Sequence, residues 1–182
     1  VNSHLIKPIC LMKPSTIFFF LFSVILLFTG CVEVTFPEPM PYLRRDRTVF
    51  PISWQGEWHY KGSNTNMDES ITIHPQYVSM ENEQIILNEK TVLRKFNGYF
   101  IISMQDDDDE RWSLILGKRR GNVLSIYEFE GTDENYAIWK EVLGVEAIEE
   151  VTKSDDDPEI EEYQINPENN AAFRKLLNSD GL

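Results

Sequence analysis

The sequence predicts a mainly β domain: an antiparallel meander curled into an open or closed barrel and followed by a short C-terminal helix, with an α+β arrangement as the fallback. Three observations lead to this fold class. Apolar and polar residues alternate with the period of a strand through most of the chain after Trp54. Turn-forming clusters separate these stretches at a spacing of roughly 8–12 residues, as in all-β sandwiches and barrels. After Gly131 the apolar residues follow a helical period instead, most clearly near the C terminus.

The chain begins with a segment that has the plan of a secretory signal. Lys13 precedes the apolar run Ile17–Phe28, small residues follow the run, and residues 1–30 contain no Asp or Glu. The run is shorter than the about 20 apolar residues that a membrane-spanning helix needs. We therefore expect residues 1–30 to be a signal peptide, with Met12 as an alternative translation start.

The end of this segment resembles the lipobox of bacterial lipoproteins. The tetrad is Phe28-Thr29-Gly30-Cys31, in which the last three residues match and Phe28 stands where the family has Leu. The resemblance implies cleavage before Cys31, a diacylglyceryl group on its sulfur and an acyl group such as palmitate on its amine. Three acyl chains exceed the two hydrophobic signals that stable anchoring requires. A plain secretion signal and a short transmembrane anchor are the alternatives.

Cysteine count and charge limit what the mature chain does. Cleavage removes Cys10 and leaves Cys31 as the only cysteine, so we expect no internal disulfide and no metal or redox site built from cysteine. Loss of Lys7 and Lys13 leaves 15 of the 17 basic side chains against 30 acidic ones, a net charge of −15. Such a chain is repelled by nucleic acid and by anionic lipid surfaces, so nucleic-acid binding is not expected.

Residues 31–52 are predicted to be the lipidated Cys31 and a proline-rich tether. Four prolines lie in this segment: Pro37, Pro39, Pro41 and Pro51. Proline fixes φ and lacks an amide donor, so we expect an extended segment outside the core, about 3 Å long per residue. A single β-rich domain of residues 53–182 should follow it.

Each strand of the domain is predicted from alternation between two turns. The first strand places Trp54, Gly56, Trp58 and Tyr60 on one face. Asn97-Gly98, between two apolar runs, is the strongest short hairpin signal. The basic stretch 117–121 (GKRRG) is predicted to be a charged turn between two strands, with a binding patch as the alternative. Further strands are expected in the stretches 70–75, 76–80, 83–88, 91–96, 99–104, 111–117 and 122–130.

The last fifty residues are predicted to mix helices and strands. Asp133 is a suitable cap for a helix that ends near Leu143, with Gly144 as its stop. The stretch 145–152 alternates like a strand, with continuation of the helix as the alternative, and 160–165 is a short strand.

The chain should end with a helix at about 167–178. Asn166 is the expected cap, Pro167 the first helical residue, and Gly181 follows the end. Its apolar stripe should dock on the sheet. The members of that stripe are Ala172, Phe173, Leu176 and Leu177.

Two family resemblances carry expectations about function. Gly56 and Trp58 resemble the Gly-x-Trp signature in the first strand of lipocalins, which implies a carrier of a small hydrophobic ligand. The whole layout resembles a set of small uncharacterised bacterial lipoproteins, which brings no known activity. It consists of the lipobox, the segment 36–41 (FPEPMP), a β-meander and a C-terminal helix opened by Asn-Pro.

Aromatic side chains are the candidates for an apolar pocket, with a plain packed core as the alternative. A barrel of about 8 strands either is filled by side chains or holds one small ligand. The residues predicted to line the pocket are Trp58, Tyr60, Trp112 and Tyr127. They are drawn from the wider aromatic set Trp54, Trp58, Tyr60, Phe100, Trp112, Tyr127 and Phe129.

Metal and catalytic sites find little support in the sequence. The acidic runs 106–110 and 155–157 lack the alternating ligand spacing of a calcium loop, so solvated turns are expected. His59 and His74 would form a metal site only if their strands placed them side by side, near Glu57. No nucleophilic elbow or phosphate-binding glycine loop is present, so we expect no catalytic residues, no cofactor and no enzymatic activity.

The sequence thus predicts a membrane-anchored bacterial envelope lipoprotein that acts as a non-enzymatic binding or envelope-maintenance module. Its alternative is a lipocalin-like carrier. Expected partners are the membrane, through Cys31, and an envelope protein. Val32 after the cysteine favours the outer membrane in the sorting logic of such lipoproteins, with the periplasmic and surface-facing orientations both open.

Overall fold

The computed structural model describes residues 32–59, 70–81, 83–105, 110–154 and 157–182. The predicted signal peptide, Cys31 and Tyr60 lie outside the described residues. In chain order the elements are β1 (Glu33–Thr35), a 3₁₀ turn (Ile52–Trp54), β2 (Gly56–His59), β3 (Ser70–Ile73), β4 (Tyr77–Met80), β5 (Glu83–Ile86), β6 (Thr91–Phe96), β7 (Tyr99–Gln105), β8 (Trp112–Arg120), β9 (Val123–Glu128), α1 (Asp133–Leu143), a second 3₁₀ turn (Val145–Ala147), β10 (Ile148–Ser154), β11 (Asp157–Ile165) and α2 (Asn170–Leu177).

The predicted fold class is confirmed in its open form. The strands form three sheets with the orders β2-β3-β4-β5, β6-β7-β8-β9 and β1-β11-β10. The first two are antiparallel meanders, and among the described strands only β1 pairs in parallel, with β11. No sheet closes on itself within the described part of the chain, so the meander is divided into separate sheets and is not a closed barrel.

The middle sheet, β6–β9, is covered on both faces. Alternate residues of β7 point to opposite sides, and its residues Tyr99 to Ile102 are all buried. Ile101 and its partner Leu116 belong to one core, whereas Phe100 and Ile102 belong to the other. A strand buried on both faces has a continuous apolar sequence, which explains the run YFII.

Two cores result from this arrangement. The first lies between the middle sheet, the β1-β11-β10 sheet and the helices; its fully buried members include Phe36, Leu116, Trp139, Ile165 and Phe173. The second lies between the middle sheet and the β2–β5 sheet; it contains Phe50, Trp54, Ile73, Val78, Leu93, Phe100 and Ile102.

The segment 32–52, which we predicted to be a tether outside the core, is part of the fold, so that prediction is wrong. β1 pairs with β11 from Glu33 opposite Glu162 to Thr35 opposite Gln164. Phe36 continues as a bridge to Trp112, with mutual backbone hydrogen bonds of 2.9 and 2.8 Å.

Burial of the apolar residues between the prolines explains this outcome. Phe36 and Met40 are fully buried and Phe50 almost so. The amide of Met40 donates to the buried Ser103 hydroxyl at 3.1 Å, which satisfies both groups inside the core. Proline removes ladder hydrogen bonds, but it does not prevent neighbouring side chains from packing.

Helix α1 ends where the sequence predicts, but its cap lies one residue earlier. Thr132 is the N-cap, and its hydroxyl accepts from the amide of Asn135 at 3.2 Å; Asp133 is the first helical residue. Gly144 follows the helix with φ of 91°, a conformation that glycine adopts without strain.

The C-terminal helix is confirmed, but it begins three residues later than predicted. Asn169, not Asn166, is the N-cap of α2, and its side chain accepts from the amides of Ala171 and Ala172. Asn166 is held by the second 3₁₀ turn instead, because its backbone amide donates to the Ala147 carbonyl at 2.7 Å. Pro167 therefore lies before the helix.

The turn predictions are confirmed in part. Asn97 and Gly98 join β6 to β7 with φ of 50° and 86°, as a tight hairpin turn requires. The basic stretch 117–121 lies mostly within β8, which continues to Arg120, so Gly121 and Asn122 form the turn. The predicted strand after α1 is confirmed as β10, preceded by a single 3₁₀ turn.

Candidate functional site

An apolar cavity lies in the second core, between the β2–β5 sheet and the middle sheet. Its volume is about 190 Å³. Every lining residue except Gly117 and Glu128 is apolar. The lining residues are Phe50, Trp54, Ile71, Ile73, Val78, Met80, Ile85, Leu93, Phe100, Ile102, Ile115, Gly117, Ile126 and Glu128.

Trp54 forms one wall of the cavity, and Gly117 makes room for it. A Cβ atom at Gly117 would lie 2.6 Å from Cζ3 and 2.8 Å from Cη2 of the Trp54 ring. The same ring packs edge-on against Phe100, with centroids 4.8 Å apart. The glycine on β8 therefore allows the indole ring to approach the middle sheet more closely than a residue with a Cβ atom would permit.

Strand β9 places the only charged side chain among the described residues of the lining. Glu128 and Ile126 are two residues apart and so share the face of β9 that points toward the cavity. Ile126 is 48% exposed and Glu128 is also exposed, so they mark the rim and not the interior. The cavity thus offers dispersion contacts inside and one carboxylate at its edge.

The sequence-predicted pocket residues do not form this cavity. Trp112 and Tyr127 lie on the opposite face of the middle sheet from Ile115, and Tyr127 packs on the first core beside Tyr99. Trp58 packs against the second core, and its indole donates to the Trp54 carbonyl at 2.8 Å, so it supports the wall without lining the cavity. Tyr60 is outside the described residues.

Two members of the wider aromatic set, Trp54 and Phe100, do line the cavity. Sequence reasoning missed the aliphatic majority of the lining, most of which comes from β3, β4, β5 and β7. Alternation indicates which residues of a strand share a face, but it does not show which other strand faces them. The site can be identified only when it is known that the β2–β5 sheet packs face to face on the middle sheet.

The two histidines lie too far apart along their strands to share a metal ion. Gly56 pairs with Ile73 and His59 pairs with Ser70, so His74 is at the opposite end of the β2–β3 pair from His59. His74 instead stacks on Tyr77, with centroids 4.1 Å apart. Within the described ranges no group of three or more His, Cys, Asp or Glu side chains is placed to hold a metal ion. Residues 106–109 and 155–156 of the acidic runs are outside those ranges.

A tyrosine pair between α1 and β11 is the other polar cluster of note. Tyr136 stacks on Tyr163 at 4.8 Å, and its hydroxyl donates to the Glu150 carboxylate. That hydrogen bond raises the pKa of Tyr136, and burial raises the pKa of Tyr163. Both phenols therefore stay protonated at neutral pH, which is the opposite of what a phenolate nucleophile or base requires.

Comparisons with known proteins add no assignment: no family model, no curated protein and no solved structure matches the chain. Neither described helix has the length and apolar character required to cross a membrane.

Proposed function

We propose that this protein is a lipid-anchored, non-enzymatic binding module of the bacterial envelope, and that its domain takes a small apolar ligand into the cavity between β2–β5 and β6–β9. The anchor is Cys31, and the outer membrane is the proposed location. The observation that carries the binding role is the cavity, whose lining is apolar except for Gly117 and Glu128 at one side.

The volume of the cavity limits the size of the ligand. Pockets for drug-sized ligands are about 300–1,000 Å³. An apolar cavity of about 150 Å³ stays dry and binds benzene. At about 190 Å³, the cavity of this protein matches a benzene-sized molecule or a short hydrocarbon segment. The rim carboxylate of Glu128 favours a ligand whose exposed end carries a hydroxyl or a positive charge.

The binding proposal is tested with two neighbouring residues that point to opposite faces of β7. Ile102 lines the cavity, whereas Ile101 is fully buried in the first core. We expect Ile102→Phe to fill the cavity, to keep the stability within about 1 kcal/mol and to abolish ligand binding. Ile101→Phe should overpack a filled core and cost about 1–3 kcal/mol, without touching the ligand site.

The readout is mass spectrometry of an organic extract of the purified full chain, together with chemical unfolding. A stoichiometric apolar molecule in the parent that is missing from Ile102→Phe supports the proposal. If the parent yields none, or both proteins yield the same amount, the cavity does not hold the ligand.

The anchor is tested separately by Cys31→Ser, with Cys10→Ser as the matched control. Loss of the thiol should block diacylglyceryl transfer, leave the precursor uncut and abolish acylation, whereas the control should be processed like the parent. Intact-mass analysis and membrane fractionation give the answer. A processed, membrane-bound Cys31→Ser chain would refute lipidation at this residue.

A further inference from the structure

Basic side chains collect at one end of the middle sheet, although the whole chain carries a net charge of −13. The turn at 97–98 and the turn at 121–122 lie at this end, because Phe100 near the start of β7 pairs with Gly117 near the end of β8. Arg44 reaches the same end from the segment before the first 3₁₀ turn. Distant parts of the chain therefore contribute positive charge to one surface.

Aromatic rings hold most of these cations in place. Six of the cations lie 4.4 to 5.7 Å from a ring centroid. Five of the six lie over three rings of a single hairpin, namely those of Phe96, Tyr99 and Phe100. A ring face attracts a cation without removing its charge. We call these six residues and two exposed arginines the basic end: Arg44, Arg45, Arg47, Lys95, Lys118, Arg119, Arg120 and Arg174.

Carboxylates do not neutralise the basic end. Among the described residues, no ion pair within 4.0 Å involves one of its members. Asp46 lies between two of its arginines in the chain, but the Asp46 carboxylate accepts from Nε of Arg94 at 2.6 Å. The positive charge is therefore presented to the solvent.

Large apolar side chains are exposed among these cations. Leu43 directly precedes the first arginine of the basic end and is 97% exposed. Ile52 is 87% exposed, and the next residue, Ser53, accepts a hydrogen bond from Arg119 through its carbonyl. Val123, just after the β8–β9 turn, is 63% exposed. The basic end thus offers a partner both charge and apolar contact.

The start of the described chain lies at the opposite end of the middle sheet. The Val32 carbonyl oxygen is 2.5 Å from the place that a Cβ atom on Gly131 would take. Gly131 follows β9, whose last residue, Glu128, pairs with Ile115 in the first half of β8. Since β8 is nine residues long, the two ends are about 25 Å apart. Val32 directly follows the proposed anchor, Cys31, so an anchored domain meets the bilayer with the end that is remote from the cations.

We propose that the basic end is a docking surface for an acidic protein segment, presented on the side of the domain that the anchor keeps away from the membrane. Carboxylates of the partner complement the cations and steer its approach. Apolar side chains of the partner, placed between its carboxylates, bury Leu43 and Ile52. A soluble polyanion such as polyphosphate would use the cations but gain nothing from these two residues. The orientation rests on the proposed anchoring, whereas the chemistry of the partner follows from the basic end itself.

The test measures binding to the purified full chain in a nonionic detergent by fluorescence anisotropy. The probe is a labelled peptide of about 16 residues that interleaves glutamate with leucine, and a matched peptide has serine in place of leucine. We expect the leucine peptide to bind at least about tenfold more tightly than the serine peptide. Binding should be lost at about 1 M salt, where charges are screened within about 3 Å. Equal binding of the two peptides, or binding of polyphosphate alone, would overturn the proposal.

Charge-reversed variants locate the binding surface. R45E/R120E changes two exposed arginines that make no side-chain hydrogen bond or ring contact within the described chain, and it should weaken binding of the leucine peptide at least about tenfold. K90E/K153E makes the same charge change in the turn before β6 and on β10, away from the basic end, and should stay within about twofold of the parent. Circular dichroism shows that each variant is folded. An R45E/R120E chain that binds like the parent would place the peptide elsewhere and contradict the proposal.

Apolar variants separate a protein segment from a simple polyanion. L43S/I52S should weaken binding of the leucine peptide about fivefold and leave the serine peptide unaffected. I86S/V145S replaces two exposed apolar residues on β5 and in the second 3₁₀ turn, and it should leave both peptides unaffected. Unchanged affinity of L43S/I52S for the leucine peptide would show that the surface does not recognise a polypeptide through its apolar residues.

The orientation is tested with the same peptide and the full chain in phosphatidylcholine vesicles. Binding should match that in detergent, because the basic end then faces the solvent. Loss of binding on the vesicles would show that the bilayer covers the basic end and would overturn the orientation. Failure of anchoring is distinguishable, because the chain would then not sediment with the vesicles but would still bind the peptide in detergent.

Discussion

At the scale of single residues, the contact between Gly117 and Trp54 determines how closely Trp54 packs on the middle sheet in the second core. The indole lies where a Cβ on β8 would be, and it packs against Phe100 on the neighbouring strand. Gly117 does not have a positive φ, so its role is the close approach and not an unusual backbone conformation.

Replacing Gly117 by Ala should therefore destabilise the protein by about 1–3 kcal/mol, because the new methyl group overlaps the indole ring. Chemical unfolding followed by circular dichroism measures the loss. Trp54→Leu should also destabilise the chain by leaving a void, but the double variant should lose less than the sum of the two, because the smaller side chain accommodates the methyl group. Strict additivity would show that the two residues do not meet.

At the scale of elements, helix α2 shows how a cap is chosen. Asn166 and Asn169 are both good N-cap residues by type, and Pro167 follows the first of them. The structure uses Asn169, because Asn166 is bonded to Ala147 and accepts from Arg111 at 3.0 Å. Hydrogen bonds to other elements thus exclude Asn166 as the N-cap and leave Asn169 to cap the helix.

Asn169→Ala should lower the stability by about 1 kcal/mol, since two amide donors of the first turn lose their acceptor. Asn169→Asp keeps an acceptor at the same position and should restore most of the loss. Thermal unfolding of the three proteins side by side provides the measurement. If alanine and aspartate behave alike, the side chain of residue 169 does not cap the helix.

At the scale of the whole molecule, the proline-rich segment joins the two cores. β1 pairs in parallel with β11 near the C terminus, Phe36 and Met40 enter the first core, and Phe50 enters the second. The Phe36 ring meets Phe129 at 5.2 Å and Phe173 at 5.9 Å, so this one residue contacts both the end of the middle sheet and α2.

Phe36→Ala should cost about 3–5 kcal/mol, the usual loss for a fully buried phenylalanine. Leu43→Ala, in the same segment but exposed, should stay within about 0.5 kcal/mol of the parent. Urea unfolding of both variants distinguishes a folded segment from a tether. In a tether, neither substitution would change the free energy of unfolding.

Local patterns in the sequence were sufficient for the β character of the domain, the Asn97-Gly98 hairpin, both helices and the strand after α1. Each of these features depends on alternation, turn chemistry or capping among residues that are close together in the chain. A short stretch of sequence is therefore enough to predict each of them. The overall acidic charge is likewise a property of composition.

The division into three sheets, the burial of segment 32–52 and the cavity depend on the tertiary structure. Residues 36 and 173, 54 and 117, or 44 and 174 are brought together only when distant strands pair and pack. Alternation shows that Trp112 and Ile115 lie on opposite faces of β8, but not that the second face meets the β2–β5 sheet and encloses the cavity. Contacts between distant residues are set by which apolar faces can cover each other, and that is a property of the whole chain.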